Sequence, residues 1–241
     1  MLKTVVSVLY PPACLLCHRR VPLSSVLFCE PCARSMEPLR PPVCQWCGVG
    51  VSGAYDARIV CRRCQDERPA FKQARAPFVY RGMVREAIHA FKYRGRHRIG
   101  LWLAEEMVRT AEAEFPLSRI TRILPVPMHW MKQRLKGINP AAFLASAVAK
   151  RLTLPCELNG LSRTRWTRSQ TRLTSSQRLR NVEGAFALRR HPGDDKGVLL
   201  IDDVLTSGAT ARACAQVLRR GGIKEVLVLT AACTPPERGG A

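Results

Sequence analysis

Acidic residues are scarce in this chain. Asp and Glu number 18 against 39 Lys and Arg in 241 residues, a net charge of +21. Between Phe115 and Cys156 there is no acid but seven Lys or Arg, and between Leu158 and Val182 again none, with six Arg. This imbalance leaves little to attract a cationic partner. It points to an acidic one, such as nucleic acid, nucleotide phosphates or anionic lipid, and is silent on fold. Long apolar runs are also missing. None approaches the about 18 residues of a membrane span, which excludes membrane insertion. The stretch Val5 to Leu9 behind Met1-Leu2-Lys3 imitates an export signal, and Leu15-Leu16-Cys17 imitates a lipoprotein cleavage site. The stretch is shorter than the about 7 to 15 residues such a signal uses, and Pro11 and Pro12 close it ahead of paired cysteines. A cytoplasmic location is therefore expected, where paired thiols are more often metal ligands than disulfides. Cysteine is sparse after residue 65. Only Cys156, Cys214 and Cys233 of the 11 lie there, in or beside apolar runs, and they read as small core residues.

The other eight cysteines fall in C-x-x-C pairs, Cys14/Cys17, Cys29/Cys32, Cys44/Cys47 and Cys61/Cys64, separated by 11, 11 and 13 residues. A C-x-x-C knuckle turns both sulfurs toward one tetrahedral ion, and a second knuckle one hairpin later completes four thiolates around Zn²⁺. Sequential pairing (Cys14, Cys17, Cys29 and Cys32; Cys44, Cys47, Cys61 and Cys64) keeps each loop local; interleaved pairing stays open. Gly48, Gly50 and Gly53 permit turns, and Pro31, Pro41 and Pro42 break helices. So small a unit buries little surface, so metal binding must supply folding energy. With all four positions filled by protein, both ions are expected to be structural.

The chain is long enough for one α/β domain plus this appendage. Residues 1–70 are expected to form the cysteine module and residues 71–241 the second domain, in which strands and helices alternate. Strands are expected at Ala76–Tyr80, Arg122–Pro127, Gly197–Ile201 and Glu225–Thr230. Helices are expected at Met83–Phe91, Ile99–Glu114, Asn139–Arg151 and Ala209–Arg220, with Asn139 capping the third and Gly221-Gly222 ending the last. The final strand-helix-strand is the clearest βαβ unit.

That unit carries the chemistry. The apolar run Val198-Leu199-Leu200-Ile201 ends at Asp202-Asp203 and enters Val204-Leu205-Thr206-Ser207-Gly208-Ala209-Thr210. Ligands of an open parallel sheet sit beyond the carboxyl ends of its strands, so both acids are expected in a crevice. The loop offers three hydroxyls, a glycine that allows close approach, and free N–H groups at the next helix start, the ingredients of an anion nest. Acids beside a phosphate cradle suit a phosphorylated sugar. The plain alternative, a solvated turn after a strand, does not account for the Thr-Ser-Gly-Ala-Thr sequel.

Val198 to Thr210 is similar to the diphosphoribosyl-binding signature of type I phosphoribosyltransferases. Together with the eight cysteines, Phe91-Lys92-Tyr93-Arg94-Gly95, Pro125-Val126-Pro127, and Arg163 with Gln170, Arg178, Asn181, Val182 and Phe186, it resembles the ComF-type competence proteins over nearly the whole chain. The resemblance implies an α/β fold, a type I phosphoribosyltransferase-like parallel sheet with an N-terminal double zinc-ribbon module. It implies that Asp202 and Asp203 hold ribose hydroxyls of phosphoribosyl diphosphate and that Thr206, Ser207, Gly208, Ala209 and Thr210 bind its 5-phosphate. Pro125, Val126, Pro127 and Lys136 would then lie by the diphosphate, which carries Mg²⁺, while Arg163, Gln170, Arg178 and Asn181 form or flank a hood. The chain departs from the family's Arg-Gly-Phe-Asn-Gln, reading Lys136-Gly137-Ile138-Asn139-Pro140. Lysine does not replace arginine where a phosphate is gripped bidentately.

Two functions follow as expectations. One is an accessory role in DNA uptake or processing, with a phosphoribosyl diphosphate or nucleotide ligand, affinity for single-stranded DNA, and DNA-processing protein partners. The other is an active phosphoribosyltransferase acting on a nitrogen nucleophile. Trp166 among Arg163, Arg165 and Arg168 suits base stacking as well as packing; Trp102 reads as core. His89 and His97 are expected to be surface or packing residues.

Overall fold

The computed structural model describes residues 12–22, 27–51, 59–128, 138–165, 184–189 and 197–235. Two five-residue helices, α1 (Glu30–Arg34) and α2 (Arg62–Asp66), belong to the cysteine-rich part. There follow β1 (Gln73–Arg75), β2 (Phe78–Val79), α3 (Gly82–Tyr93), α4 (His97–Glu114), β3 (Arg122–Pro125), α5 (Pro140–Leu152), β4 (Leu161–Arg163), β5 (Phe186–Leu188), β6 (Gly197–Leu205), α6 (Ala209–Arg220) and β7 (Glu225–Cys233).

The main sheet runs β1-β7-β6-β3, with β2 also pairing β7, and every pairing in it is parallel. The two central strands, β6 and β7, are buried on both faces along their apolar runs, residues 198–201 and 226–229. Alternation along β6 sends Leu199 and Ile201 to one face, against Ile88 of α3, Leu103 and Met107 of α4 and Leu144 of α5. Val198 and Leu200 go to the other, against Cys214, Ala215 and Leu218 of α6 and Phe186 of β5.

The ribbons divide between these two faces. Leu16 and Phe28 of the first pack on the α3/α4 side, where Phe28 lies edge-on to Trp102 with ring centroids 5.0 Å apart. Cys44, Val49 and Cys64 of the second share the core of the α6 side. Gly48, at φ +67, is required there, because a Cβ would stand 2.4 Å from the carbonyl oxygen of Ala74 on β1. The second ribbon is therefore seated directly on the sheet edge.

All four expected strands differ in their bounds, β3 by ending at Pro125 and not at Pro127. Of the strand expected at Ala76–Tyr80 only β2 forms; β1 lies ahead of that range and ends at Arg75, and the gap between them includes Pro77, which has no N–H for a ladder. The strand expected to stop at Ile201 continues to Leu205, because β7 also extends, to Cys233, and pairs Asp202 with Thr230 and Val204 with Ala232. The two acids thus sit within the end of β6. Cys214 and Cys233 are buried and Cys156 is half-buried.

Candidate functional site

At the carboxyl end of β6 the chain leaves the sheet through Thr206-Ser207-Gly208 and enters α6. Gly208 takes a left-handed conformation, φ +76, as the residue before the helix, a backbone state that favours glycine. The Ser207 side chain is buried, and its Oγ accepts from Ala209 N at 3.4 Å. The first helical bond runs from Arg212 N to Gly208 O at 2.8 Å. The preceding amides of the first turn, Ala209, Thr210 and Ala211, have no carbonyl of their own helix to bond, so the end of the loop is a donor-rich concavity.

A cavity of about 290 Å³ opens on this loop. Asp202, Asp203, Thr206, Gly208, Ala209 and Thr210 line one wall, and Tyr80, His89, Lys92 and Tyr93 line the other. Helix α3 buries Val84, Ala87, Ile88 and Phe91, one apolar stripe at helical spacing. Lys92 therefore lies at the margin of that stripe, over the tip of β6, and its Nζ meets Asp203 Oδ2 at 2.8 Å. Tyr80 Oη and His89 Nε2 are 3.2 Å apart, and the Tyr93 ring, 60% exposed, stands edge-on to His89 at the cavity mouth.

The two acids are electrostatically distinct. Burial, and next the charge of Asp203, pushes the Asp202 carboxyl up to about 7. The Asp203 amide, which donates to Asp202 Oδ1 at 2.8 Å, and the cations Lys92 and Arg163 limit the rise. Burial disfavours the Lys92 ammonium, but the Asp203 carboxylate more than offsets this, so Lys92 titrates above the ordinary lysine range. One carboxylate is ion-paired while its neighbour can hold or release a proton near neutrality, a division characteristic of functional sites.

The remaining expected residues are spread around this centre. Pro125 pairs with Ile201 across the β3–β6 ladder, and Val126 N donates to Ile201 O at 2.8 Å, so Pro125-Val126-Pro127 adjoins the motif strand outside the cavity wall. Asn139 caps α5 by accepting from Ala141 N at 3.1 Å, and its Nδ2 donates to Val126 O at 3.1 Å. Arg163 lies on β4 with its guanidinium 5.3 Å from the Phe186 ring centroid, and burial lowers its pKa. Lys136, Gln170, Arg178 and Asn181 lie outside the described residues, as do Trp130 and Trp166. The wall of Tyr80, His89, Lys92 and Tyr93 escapes assignment from sequence; only the Phe91–Gly95 stretch marks its place, and His89 reads there as a surface or packing residue.

The cysteines form two sets, Cys14, Cys17, Cys29 and Cys32, and Cys44, Cys47, Cys61 and Cys64, each with its four sulfurs within 4.8 Å of one another. The Cys17–Cys29 and Cys47–Cys61 sulfurs are 3.5 Å apart. Tetrahedral Zn–S bonds of about 2.3 Å place sulfurs roughly 3.8 Å apart, so both sets fit structural zinc and the sequential pairing holds. The Cys61 amide donates to Cys44 Sγ at 3.4 Å, the kind of outer bond that orients a thiolate ligand. Among the described residues no helix is long and apolar enough to cross a membrane.

Comparison with known proteins agrees with both halves of this architecture. Residues 5–65 match the family described as double zinc ribbon domain, and residues 137–239 match the phosphoribosyl transferase domain. DNA utilization protein YhgH of Salmonella typhimurium is 28% identical over 221 residues, covering 90% of this chain and 95% of that protein. Competence protein F of Haemophilus influenzae is 26% identical over 220 residues, covering 89% and 94%. Among solved structures, orotate phosphoribosyltransferase from Aeropyrum pernix aligns with a TM-score of 0.34 at 14% identity, covering 58% of this chain and 75% of that one. The chain thus combines a double zinc ribbon with a phosphoribosyl transferase domain and is similar, along most of its length, to proteins named for competence and DNA utilization.

Proposed function

We propose that the protein is an accessory factor of DNA uptake or processing whose cavity binds phosphoribosyl diphosphate or a nucleotide. The observation that carries this reading is the meeting, in one cavity, of an acid pair and a donor-rich loop at a helix start. Asp202 and Asp203 accept from the ribose hydroxyls. The amides and hydroxyls of Thr206, Ser207, Gly208, Ala209 and Thr210 donate to the 5-phosphate. Pro125, Val126, Pro127 and Lys136 flank the diphosphate, and Arg163, Gln170, Arg178 and Asn181 close over or beside it. Mg²⁺ bound to the diphosphate would offset its charge and stabilise it as a leaving group. The names of the relatives, competence and DNA utilization proteins, together with the basic stretches, support single-stranded DNA as a further ligand.

A second reading, an active phosphoribosyltransferase, is favoured by the wall of Tyr80, His89 and Tyr93. It gives a planar nitrogenous acceptor a place opposite the acids. A C1–N bond would form as the C1–O bond breaks and diphosphate leaves with the electron pair. Diphosphate release from the zinc-loaded protein, measured across a set of nitrogenous acceptors, separates the readings: release with one of them establishes the enzyme, and none supports the accessory role. Fluorescence anisotropy with a single-stranded oligonucleotide tests the DNA ligand. The expected result is binding whose log affinity falls linearly with log salt, by about 0.7 per phosphate contacted; no binding at low salt would remove DNA from the proposal.

A further inference from the structure

The second ribbon does more than sit near the candidate site. Helix α2 begins at its third ligand, Cys61, and carries its fourth, Cys64. Arg63 lies between them, half-buried, and its Nη1 donates to Thr206 O at 3.3 Å, the first residue of the loop that lines the cavity. From the opposite direction comes Arg212, on the first turn of α6. It is 4% exposed, yet its side chain reaches 145 residues back along the chain, where Nη1 donates to Glu67 O at 2.7 Å, just beyond α2. Its Nη2 meets Cys64 Sγ at 3.6 Å. Two guanidinium groups therefore lace the second metal set to both ends of the loop, Thr206 before it and Arg212 after it.

The lacing makes the loop depend on the metal. A helix of five residues does not persist on its own in water, and the thiolates that fix α2 are held in place by the ion they bind. When α2 loosens, Arg63 and Arg212 lose a carbonyl, a sulfur and a second carbonyl at once. Arg212 stays charged at any pH the fold tolerates, and a buried charge without partners is costly, so it must swing to solvent. Its backbone is the first intrahelical donor of α6, bonded to Gly208, so that movement frays the start of the helix where the loop's amides converge. The first ribbon has a different setting. Its cysteines Cys14, Cys29 and Cys32 cluster with Val21, Leu16, Phe28 and Met83, on the α3/α4 side of the sheet.

We propose that Arg63 and Arg212 are positioning residues through which zinc in the second ribbon, and not the first, holds the anion-binding loop in its donor-presenting shape. Removal of that zinc by chelation would then switch the loop off while the sheet stays folded. The inference concerns the loop's conformation and stands whether or not its ligand is a phosphoribosyl compound.

Hydrogen exchange of the full-length, zinc-loaded protein tests it, with zinc content measured in parallel. In Cys47→Ser the amides of residues 206–212 are expected to exchange at least tenfold faster, whereas in Cys17→Ser they keep the wild-type rate; β3 and α5 serve as internal controls of folding. Equal effects of the two substitutions, or an unchanged loop in a Cys47→Ser protein that has lost one zinc, would overturn the proposal. Arg63→Ala guards against a Cys47→Ser protein that does not fold. It is expected to loosen the loop with both zinc ions retained, and Arg63→Lys to restore protection, because one N–H suffices for Thr206 O. Arg212→Lys is expected not to restore it, because an ammonium cannot hold two divergent acceptors in a fixed fork. A loop indifferent to Arg63→Ala would equally refute the coupling.

Discussion

Asp202 and Asp203 are adjacent in sequence but are not equivalent acids. Asp203 is paired with Lys92 at 2.8 Å, while burial and Asp203 push Asp202 up to about 7. Between the ordinary value near 3.8 and about 7, the folded chain holds a proton that the unfolded chain has released. The contribution of Asp202 to stability is therefore full at low pH, falls as pH rises through that window and is flat above it. Lys92 lowers the Asp202 pKa, so Lys92→Met is expected to move the carboxyl's midpoint above 7, read by carbon NMR of the carboxyl. It is also expected to cost about 1–3 kcal/mol at pH 8 by leaving Asp203 without its cation. An unchanged midpoint would separate Lys92 from the acid pair. The acids could be read from the sequence because two carboxylates that end an apolar strand cannot face the core and must meet water or a ligand beyond the sheet. Their partner could not, because Lys92 lies 111 residues earlier in the chain and only the packing of α3 over the tip of β6 brings it there.

At the scale of elements, sequence reading succeeded where local chemistry decides and failed where a partner decides. Asn139 ahead of Pro140 is a local cap signal, and the structure has that cap. The C-x-x-C spacing likewise encodes two metal sets without help from the rest of the fold. The length of β6 is not local: it continues through Asp202 to Leu205 because β7 runs beside it. Nor could the sequence reveal that Asn139 serves two elements at once, capping α5 and donating to Val126 O in the turn after β3. Asn139→Ala removes both bonds. A loss of about 1–2 kcal/mol in chemical denaturation is expected, about 1 from the cap and up to about 1 from the second bond. Asn139→Asp, which keeps the cap but cannot donate to Val126, should lose only the second part. No loss in Asn139→Asp would show that the link to the Pro125–Pro127 turn contributes nothing, and equal losses in the two variants would show that the cap contributes nothing.

Across the whole molecule, the two ribbons are not an appendage tethered to a finished domain. Cys44, Val49 and Cys64 lie in the same apolar cluster as Leu200 of β6 and Leu218 of α6, and Phe28 of the first ribbon packs on Trp102. The composition shift near residue 70 is visible in the sequence, but it marks a change in chemistry and not an end to packing. Net charge was the least specific signal, since an excess of +21 is compatible with a nucleic acid, a nucleotide or a phosphosugar alike. Under the proposed function the cavity narrows that choice, with its acids accepting from hydroxyls and its loop donating to an anion. The most direct measurement is isothermal titration of Mg²⁺-phosphoribosyl diphosphate into the zinc-loaded protein, beside an Asp202→Asn/Asp203→Asn variant shown to fold. Saturable binding by the wild type, weakened at least tenfold in the variant, is the expected result. A folded wild-type protein that takes up no ligand, or a variant that binds as tightly, would contradict the assignment of this cavity to a phosphoribosyl compound.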